Sequence, residues 1–130
     1  MYSVWVGGEN NSTSHMREIS EIYFHPNYVT FTEDEIALND VALLKLKKPL
    51  IFNERIKALD LPVGTNFKGQ RHELVGRVTD AGEPGSPLVQ NNTLTGIASY
   101  LEGKDCRKST LNFFMSMLQY AEWIKAVTGL

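Results

Sequence analysis

The sequence predicts an all-β domain finished by a single C-terminal α-helix. Two patterns carry that expectation: short runs of alternating apolar and polar residues recur between turn signals, and the period changes to a helical one only near the end of the chain. The composition agrees with one packed domain. In 130 residues, 42% are hydrophobic and 22% charged, with 10 Gly and 5 Pro, which is neither the profile of a disordered chain nor that of a fibrous one. A chain of this length is large enough to bury roughly two-thirds of its unfolded surface.

Tyr2-Ser3-Val4-Trp5-Val6 alternates and runs into Gly7-Gly8, a strand entering a turn. A polar loop, 9–15, follows. Residues 16–24 read as a second strand, stopped by the turn signal His25-Pro26-Asn27. The acidic run Thr32-Glu33-Asp34-Glu35 reads as a solvated loop. Residues 41–46 form a strong strand candidate, ended at Lys47-Lys48-Pro49, where proline stops further pairing. Between Asn53 and Pro62 a connection with one more short strand is expected. Residues 63–87 are rich in Gly and Pro and predict loop around a short strand at 73–79. Residues 88–89 and 94–100 read as a hairpin about Gln90-Asn91-Asn92-Thr93. Phe113, Phe114, Met117, Leu118, Ala121, Ile124 and Val127 follow helical spacing, with Ser109, Thr110 or Ser116 as alternative caps and Gly129 placed to stop the helix.

A net charge of −2 argues against a nucleic-acid partner, which needs a surplus of Lys and Arg. No apolar run reaches the length of a membrane span, and none has the form of a secretion signal. The lone cysteine, Cys106, cannot form an internal disulfide. That favours a reducing compartment or a domain that needs no cross-links. Against it stand acceptor patterns for N-glycosylation at Asn10, Asn11 and Asn91, so composition leaves the location open.

Several segments together resemble the trypsin/chymotrypsin-like serine protease family. His25-Pro26-Asn27-Tyr28, Asn39-Asp40-Val41-Ala42-Leu43-Leu44-Lys45-Leu46, Pro49-Leu50-Ile51-Phe52-Asn53 and Leu61-Pro62 fall in the order and spacing of that family's first barrel. Gly85-Ser86-Pro87-Leu88-Val89, Leu94-Thr95-Gly96-Ile97-Ala98-Ser99-Tyr100 and Tyr120-Ala121-Glu122-Trp123-Ile124 resemble its C-terminal part. The resemblance implies a truncated chymotrypsin-like β-barrel in which remnants of both barrels are fused: 1–62 from the first, 63–87 a rearranged joint, and 88–130 from the second with its helix. It places residue 1 after the family's catalytic-His loop and a second deletion between Pro62 and Gly82. Val78-Thr79-Asp80-Ala81-Gly82 aligns either with a stretch of the second barrel or with the approach to the nucleophile loop.

Hydrolysis in this family requires a Ser nucleophile, a His base, an Asp that orients the His, and two backbone N–H donors for the oxyanion. By resemblance Asp40 is the orienting residue. With no His to orient, it reads as a hydrogen-bonding residue at a strand start. The family's Gly-Asp-Ser-Gly-Gly-Pro loop is here Gly82-Glu83-Pro84-Gly85-Ser86-Pro87. Pro84 at the nucleophile position has neither a hydroxyl nor the backbone N–H that the oxyanion would use. Glu83 replaces an Asp that pairs with the new N-terminus of an activated protease. Ser99-Tyr100-Leu101 stands where the family has Ser-Trp-Gly, so Leu101 would crowd the substrate entrance. Cys106 matches a cysteine whose partner is missing.

The enzymatic alternative is a serine endopeptidase with a rebuilt set of Ser86, His72 and Asp40, or with a partner chain supplying His and Ser; His15 and His25 fall in a polar loop and in the His-Pro-Asn-Tyr stretch. Glu9-Asn10-Asn11 resembles the start of a calcium loop, but the run after it is a poor ligand set, and no metal or cofactor is expected. Lys45, Lys47, Lys48 and Lys104, Arg107, Lys108 read as outward faces. The expectation is therefore an inactive, secreted family member that binds protease inhibitors or protease-cascade proteins, with loops 9–14 and 31–38 as contact surface. A homo-oligomer joined through exposed strand edges is a third reading.

Overall fold

The computed structural model describes residues 1–10, 12–30, 37–64, 73–74, 84–101 and 112–130. The chain divides into two compact units, Met1–Phe24 with Ala42–Ala58, and His25–Val41 with Leu59–Leu130.

The first unit is an antiparallel sheet of β1 (Ser3–Val6), β2 (His15–Phe24) and β5 (Ala42–Leu46), in the order β1-β2-β5. Trp5 lies opposite Met16, and Leu44 opposite Ile22. Side chains alternate across a pleat, so Val4, Val6, Ile19, Ile22, Leu44 and Leu46 share one face. The other face collects Glu18, Glu21, Lys45 and Lys47. The two faces are kept in phase by a bulge between Ile19 and Glu21. There the hydroxyl of the extra residue, Ser20, donates to the carbonyl of Lys45 at 3.1 Å. On the polar face Lys45 Nζ lies 2.7 Å from Glu21, and Lys47 Nζ 2.7 Å from Glu18. Both pairs are exposed, in keeping with an outward face for these two lysines. The hydroxyl of Tyr23 also donates to Glu21.

The β1–β2 connection turns on Gly7, whose φ is +78°, and on Gly8. A Cβ at Gly8 would lie 2.3 Å from backbone atoms of Thr13 and Ser14, so the loop closes only around a residue without a side chain. Asn10 organises the rest. Its Oδ1 accepts from the backbone N–H groups of Ser12 (3.0 Å) and Thr13 (3.1 Å), a turn built on a side-chain carbonyl.

The second unit holds a two-stranded ladder, β3 (Val29–Thr30) with β4 (Ala37–Leu38). It also holds a four-stranded antiparallel sheet of β6 (Glu73–Leu74), β7 (Pro87–Gln90), β8 (Thr93–Leu101) and β9 (Asn112–Ser116), in chain order. The β7–β8 hairpin expected from the sequence is present. Its two turn residues, Asn91 and Asn92, have φ of +47° and +60°, the left-handed pair that a type I′ turn demands and that asparagine tolerates. Among the described residues the sheets are open rather than closed on themselves.

Helix α1 (Met117–Thr128) buries Met117, Tyr120, Ala121 and Ile124, one stripe at helical spacing. Gly129, in the left-handed conformation, ends it by donating its N–H to the Lys125 carbonyl at 2.8 Å. Every buried side chain among the described residues belongs to this second unit, including Ala37, Val41, Thr95 and Ala98.

Two sequence expectations are corrected. Phe113 and Phe114 belong to strand β9, not to the helix, because residues 112–116 pair with β8. Ser116, with extended dihedrals, marks the change to helix. A short apolar run fits either period, and ladder bonding decides. The short strand expected between Asn53 and Pro62 is replaced by isolated bridges at Asn53, Ile56 and Asp60. Asn53 Oδ1 takes the N–H groups of Arg55 (2.8 Å) and Ile56 (3.0 Å) that a ladder would need. Several further expectations lie outside the described residues: the acidic run 32–35, most of the strand at 73–79, and Glu83, His72, Lys104, Cys106, Arg107, Lys108, Ser109 and Thr110.

Replacing Gly8 by Ala is expected to destabilise the protein by about 1–3 kcal/mol, since backbone and not a flexible side chain must move; urea unfolding measures it. The ammonium of Lys47 holds the Glu18 carboxyl below its ordinary pKa, and that of Lys45, helped by Tyr23, does so for Glu21. Their contribution to stability is therefore complete above the ordinary glutamate pKa and is lost as pH falls through the lowered values. Glu18→Gln and Glu21→Gln together should flatten the acid limb of a stability-against-pH profile and reduce its sensitivity to salt.

Candidate functional site

The chemistry-bearing residues that can be followed in the structure lie in the second unit, where β8, α1 and the segment before β5 meet. Asp40 stands two residues before β5, between Asn39, which has a left-handed φ of +53°, and buried Val41. Asparagine adopts this conformation more readily than most residues. The Asp40 carboxylate accepts a hydrogen bond from Ser99 Oγ of β8 at 2.7 Å. Asp40 and Ser99 are 59 residues apart in sequence, so this bond joins the Asn-Asp segment to the Ser-Tyr-Leu segment directly.

Asn39 has its own role. Its Oδ1 accepts from the Tyr120 hydroxyl at 3.0 Å, and its Nδ2 donates to the carbonyl of Asn27 at 2.8 Å. Burial, with a smaller effect of the Asp40 charge, raises the Tyr120 hydroxyl above the ordinary phenol pKa, so it stays a neutral donor. His25 packs edge-on to Tyr120, with ring centroids 5.3 Å apart, and lies 4.9 Å from Trp123 at a tilt of 60°. Its Nδ1 accepts the Asn27 N–H at 3.2 Å. Tyr120 and Trp123 are three residues apart on α1, and this spacing puts both rings on the face that meets His25.

The Pro84-Gly85-Ser86 turn is tied to the same strand. Gly85, at φ +88°, donates its N–H to the Ala98 carbonyl at 2.7 Å, and Ala98 donates to the Ser86 carbonyl at 2.9 Å. Pro84 is exposed and Ser86 half-buried. Chain geometry fixes the turn beside Ser99, but its first residue contributes neither hydroxyl nor N–H.

His15 lies at the start of β2 in the first unit. Glu9 is 3.7 Å from Arg55, and the Asn10 carboxamide oxygen is taken up by its own loop. Among the described residues no three His, Cys, Asp or Glu side chains are grouped to hold a metal ion. No described helix is long and apolar enough to cross a membrane. Of the acceptor asparagines, Asn10 and Asn91 are exposed in turns, and Asn11 lies outside the described residues. Sequence reasoning missed the cluster of Asn39, Tyr120, His25 and Trp123. The signal available for it was the aromatic pair at helical spacing together with an asparagine just before a strand.

The arrangement of strands with one C-terminal helix is the chymotrypsin-like fold, as two solved structures establish. "Structure of GrC" superposes with a TM-score of 0.74 at 19% identity, over 98% of this chain and 78% of that one. Kallikrein-related peptidase 10 does so with a TM-score of 0.74 at 21% identity, over 98% and 79%. The family model Trypsin matches residues 1–79, and the chain belongs to the trypsin family. Among curated relatives, Kallikrein 1-related peptidase b21 of Mus musculus is 22% identical over 185 aligned residues, covering 95% of this chain and 70% of that protein.

Tyr120→Phe should cost about 1 kcal/mol through the lost bond to Asn39. Ser99→Ala should cost more, about 1.5–3 kcal/mol, because a half-buried carboxylate loses a donor. Shifts of the urea midpoint at constant m-value measure both.

Proposed function

We propose that this trypsin-family chain is catalytically inactive and works by binding, as a decoy or modulator of proteases, their inhibitors or protease-cascade proteins outside the cell. The observation that carries this reading is Pro84 at the position that matches the family's nucleophile. Acyl transfer needs a hydroxyl there to attack and an N–H there to stabilise the oxyanion; proline supplies neither. One feature supports it: the His25 ring is held between Tyr120 and Trp123, a packing role and not that of a mobile base. An extracellular setting rests on likeness to kallikrein-type relatives.

A second reading, self-association, is favoured by the first unit, where Phe24 is 71% and Leu44 48% exposed on a sheet with open edges. Light scattering over a tenfold concentration range separates it from a monomeric decoy.

A fluorophosphonate probe is expected to leave the protein unlabelled. Labelling that disappears in Ser86→Ala would overturn the assignment of inactivity. Immobilised protein should retain serine-protease inhibitors or cascade proteins with micromolar or tighter Kd, and a panel without any complex at micromolar concentration counts against the binding role.

A further inference from the structure

We propose that Asn10 is an N-glycosylation site, taking an oligosaccharide from a lipid-pyrophosphate donor onto its carboxamide nitrogen. The inference goes beyond the function proposed above and rests on one part of it, the extracellular setting. Three overlapping or separate acceptor tripeptides begin at Asn10, Asn11 and Asn91, and the surroundings of Asn10 and Asn91 differ in ways that bear on transfer.

Asn10 is exposed in the connection between β1 and β2, outside their ladder. Its side-chain hydrogen bonds fall on one atom. Oδ1 accepts from Ser12 Oγ at 2.6 Å, from Ser12 N–H at 3.0 Å and from Thr13 N–H at 3.1 Å. Among the described residues Nδ2 makes no bond. The nitrogen that must react is thus unengaged, and the hydroxyl of the third residue of the tripeptide already lies against the acceptor carboxamide. In the transfer, Nδ2 forms a bond to the anomeric carbon of the sugar, the carbon–oxygen bond to the phosphate breaks, the lipid pyrophosphate leaves with that electron pair, and an amide proton passes to a base of the transferase.

Asn91 is also exposed, but it is the first residue of a two-residue turn. Its third residue, Thr93, pairs with Gln90 in the β7–β8 ladder. The neighbouring backbone is tied as well: Asp60 donates to the Asn92 carbonyl at 2.9 Å, and Leu94 donates to the Asp60 carbonyl at 2.9 Å. Lifting 91–93 into an enzyme cleft breaks ladder pairing, whereas lifting Asn10 and Ser12 breaks only bonds within the loop, among them those from Ser14 N–H (2.9 Å) and Ser14 Oγ (2.7 Å) to the Asn10 carbonyl. An oligosaccharide on Asn10 would also cover loop 9–14, one of the two loops the sequence nominates for partner contact, and so direct contact elsewhere.

The test is expression of the full chain behind a cleavable secretion leader in a eukaryotic host, followed by intact mass before and after peptide-N-glycosidase and by mapping of the aspartate that enzyme leaves at an occupied asparagine. The expected result is an enzyme-removable glycan mapped to Asn10. It should be lost in Ser12→Ala, which leaves Asn11 with Thr13 as its third residue, and kept in Thr13→Ala and Thr93→Ala. A secreted chain without glycan, a glycan mapped to Asn11 or Asn91 but not Asn10, or a glycan that persists on Asn10 in Ser12→Ala overturns the proposal. Site mapping on the unsubstituted chain decides the matter even where a variant is not secreted.

Discussion

The second unit depends on the hydrogen bond from the Tyr120 hydroxyl to the Asn39 carboxamide. It ties the buried stripe of α1 to a residue held at positive φ, and Asn39 passes the constraint on to Asn27 through its other carboxamide atom. With Asn39 fixed, Asp40 is aimed at Ser99, and the two ends of the motif-bearing chain are joined. A polar bond between partly buried groups is worth modest net energy when made and more when broken, because the partner is left without a substitute. The arrangement therefore acts as a positional lock more than as a store of stability.

Around that lock the strand framework of the trypsin family persists. Strand β8 still holds the turn at Gly85 and Ser86 by backbone bonds at 2.7 and 2.9 Å to Ala98. These bonds use main-chain atoms, so they are indifferent to which side chain stands beside the turn. Catalytic groups depend on particular side chains and, for the oxyanion, on a particular N–H, and a proline has neither a hydroxyl nor an N–H to offer. A fold does not by itself carry a reaction, which is why function has to be argued from the site and not from the fold.

Much of the fold was legible in the sequence because period and turn chemistry are local. The alternation of 2–6 and 16–24, the Asn91-Asn92 turn and the Gly129 stop all follow from residues close together in the chain. What failed to be legible was decided at longer range or by side chains competing with the backbone. Phe113 and Phe114 continue a helical spacing, yet strand β8 captures them through ladder bonds that no local pattern announces. Asn53 turns its own following N–H groups away from pairing. Of the site, Asp40 and Pro84 could be picked out by resemblance. The grouping of His25, Asn39, Tyr120 and Trp123 draws on three segments, and it emerges only when α1 is placed.

The uneven distribution of buried side chains has a consequence for cooperativity. The β1-β2-β5 sheet has ladder bonds, a bulge and exposed ion pairs but no fully buried side chain among its described residues, whereas the second unit holds the packed stripe of α1. Local opening free energies follow buried apolar contact. Amide hydrogens of β2 and β5 should then exchange through openings that leave Ala98, Met117 and Ile124 protected. The chain would behave as two foldons, with the less stable one interrupted in sequence by part of the more stable one.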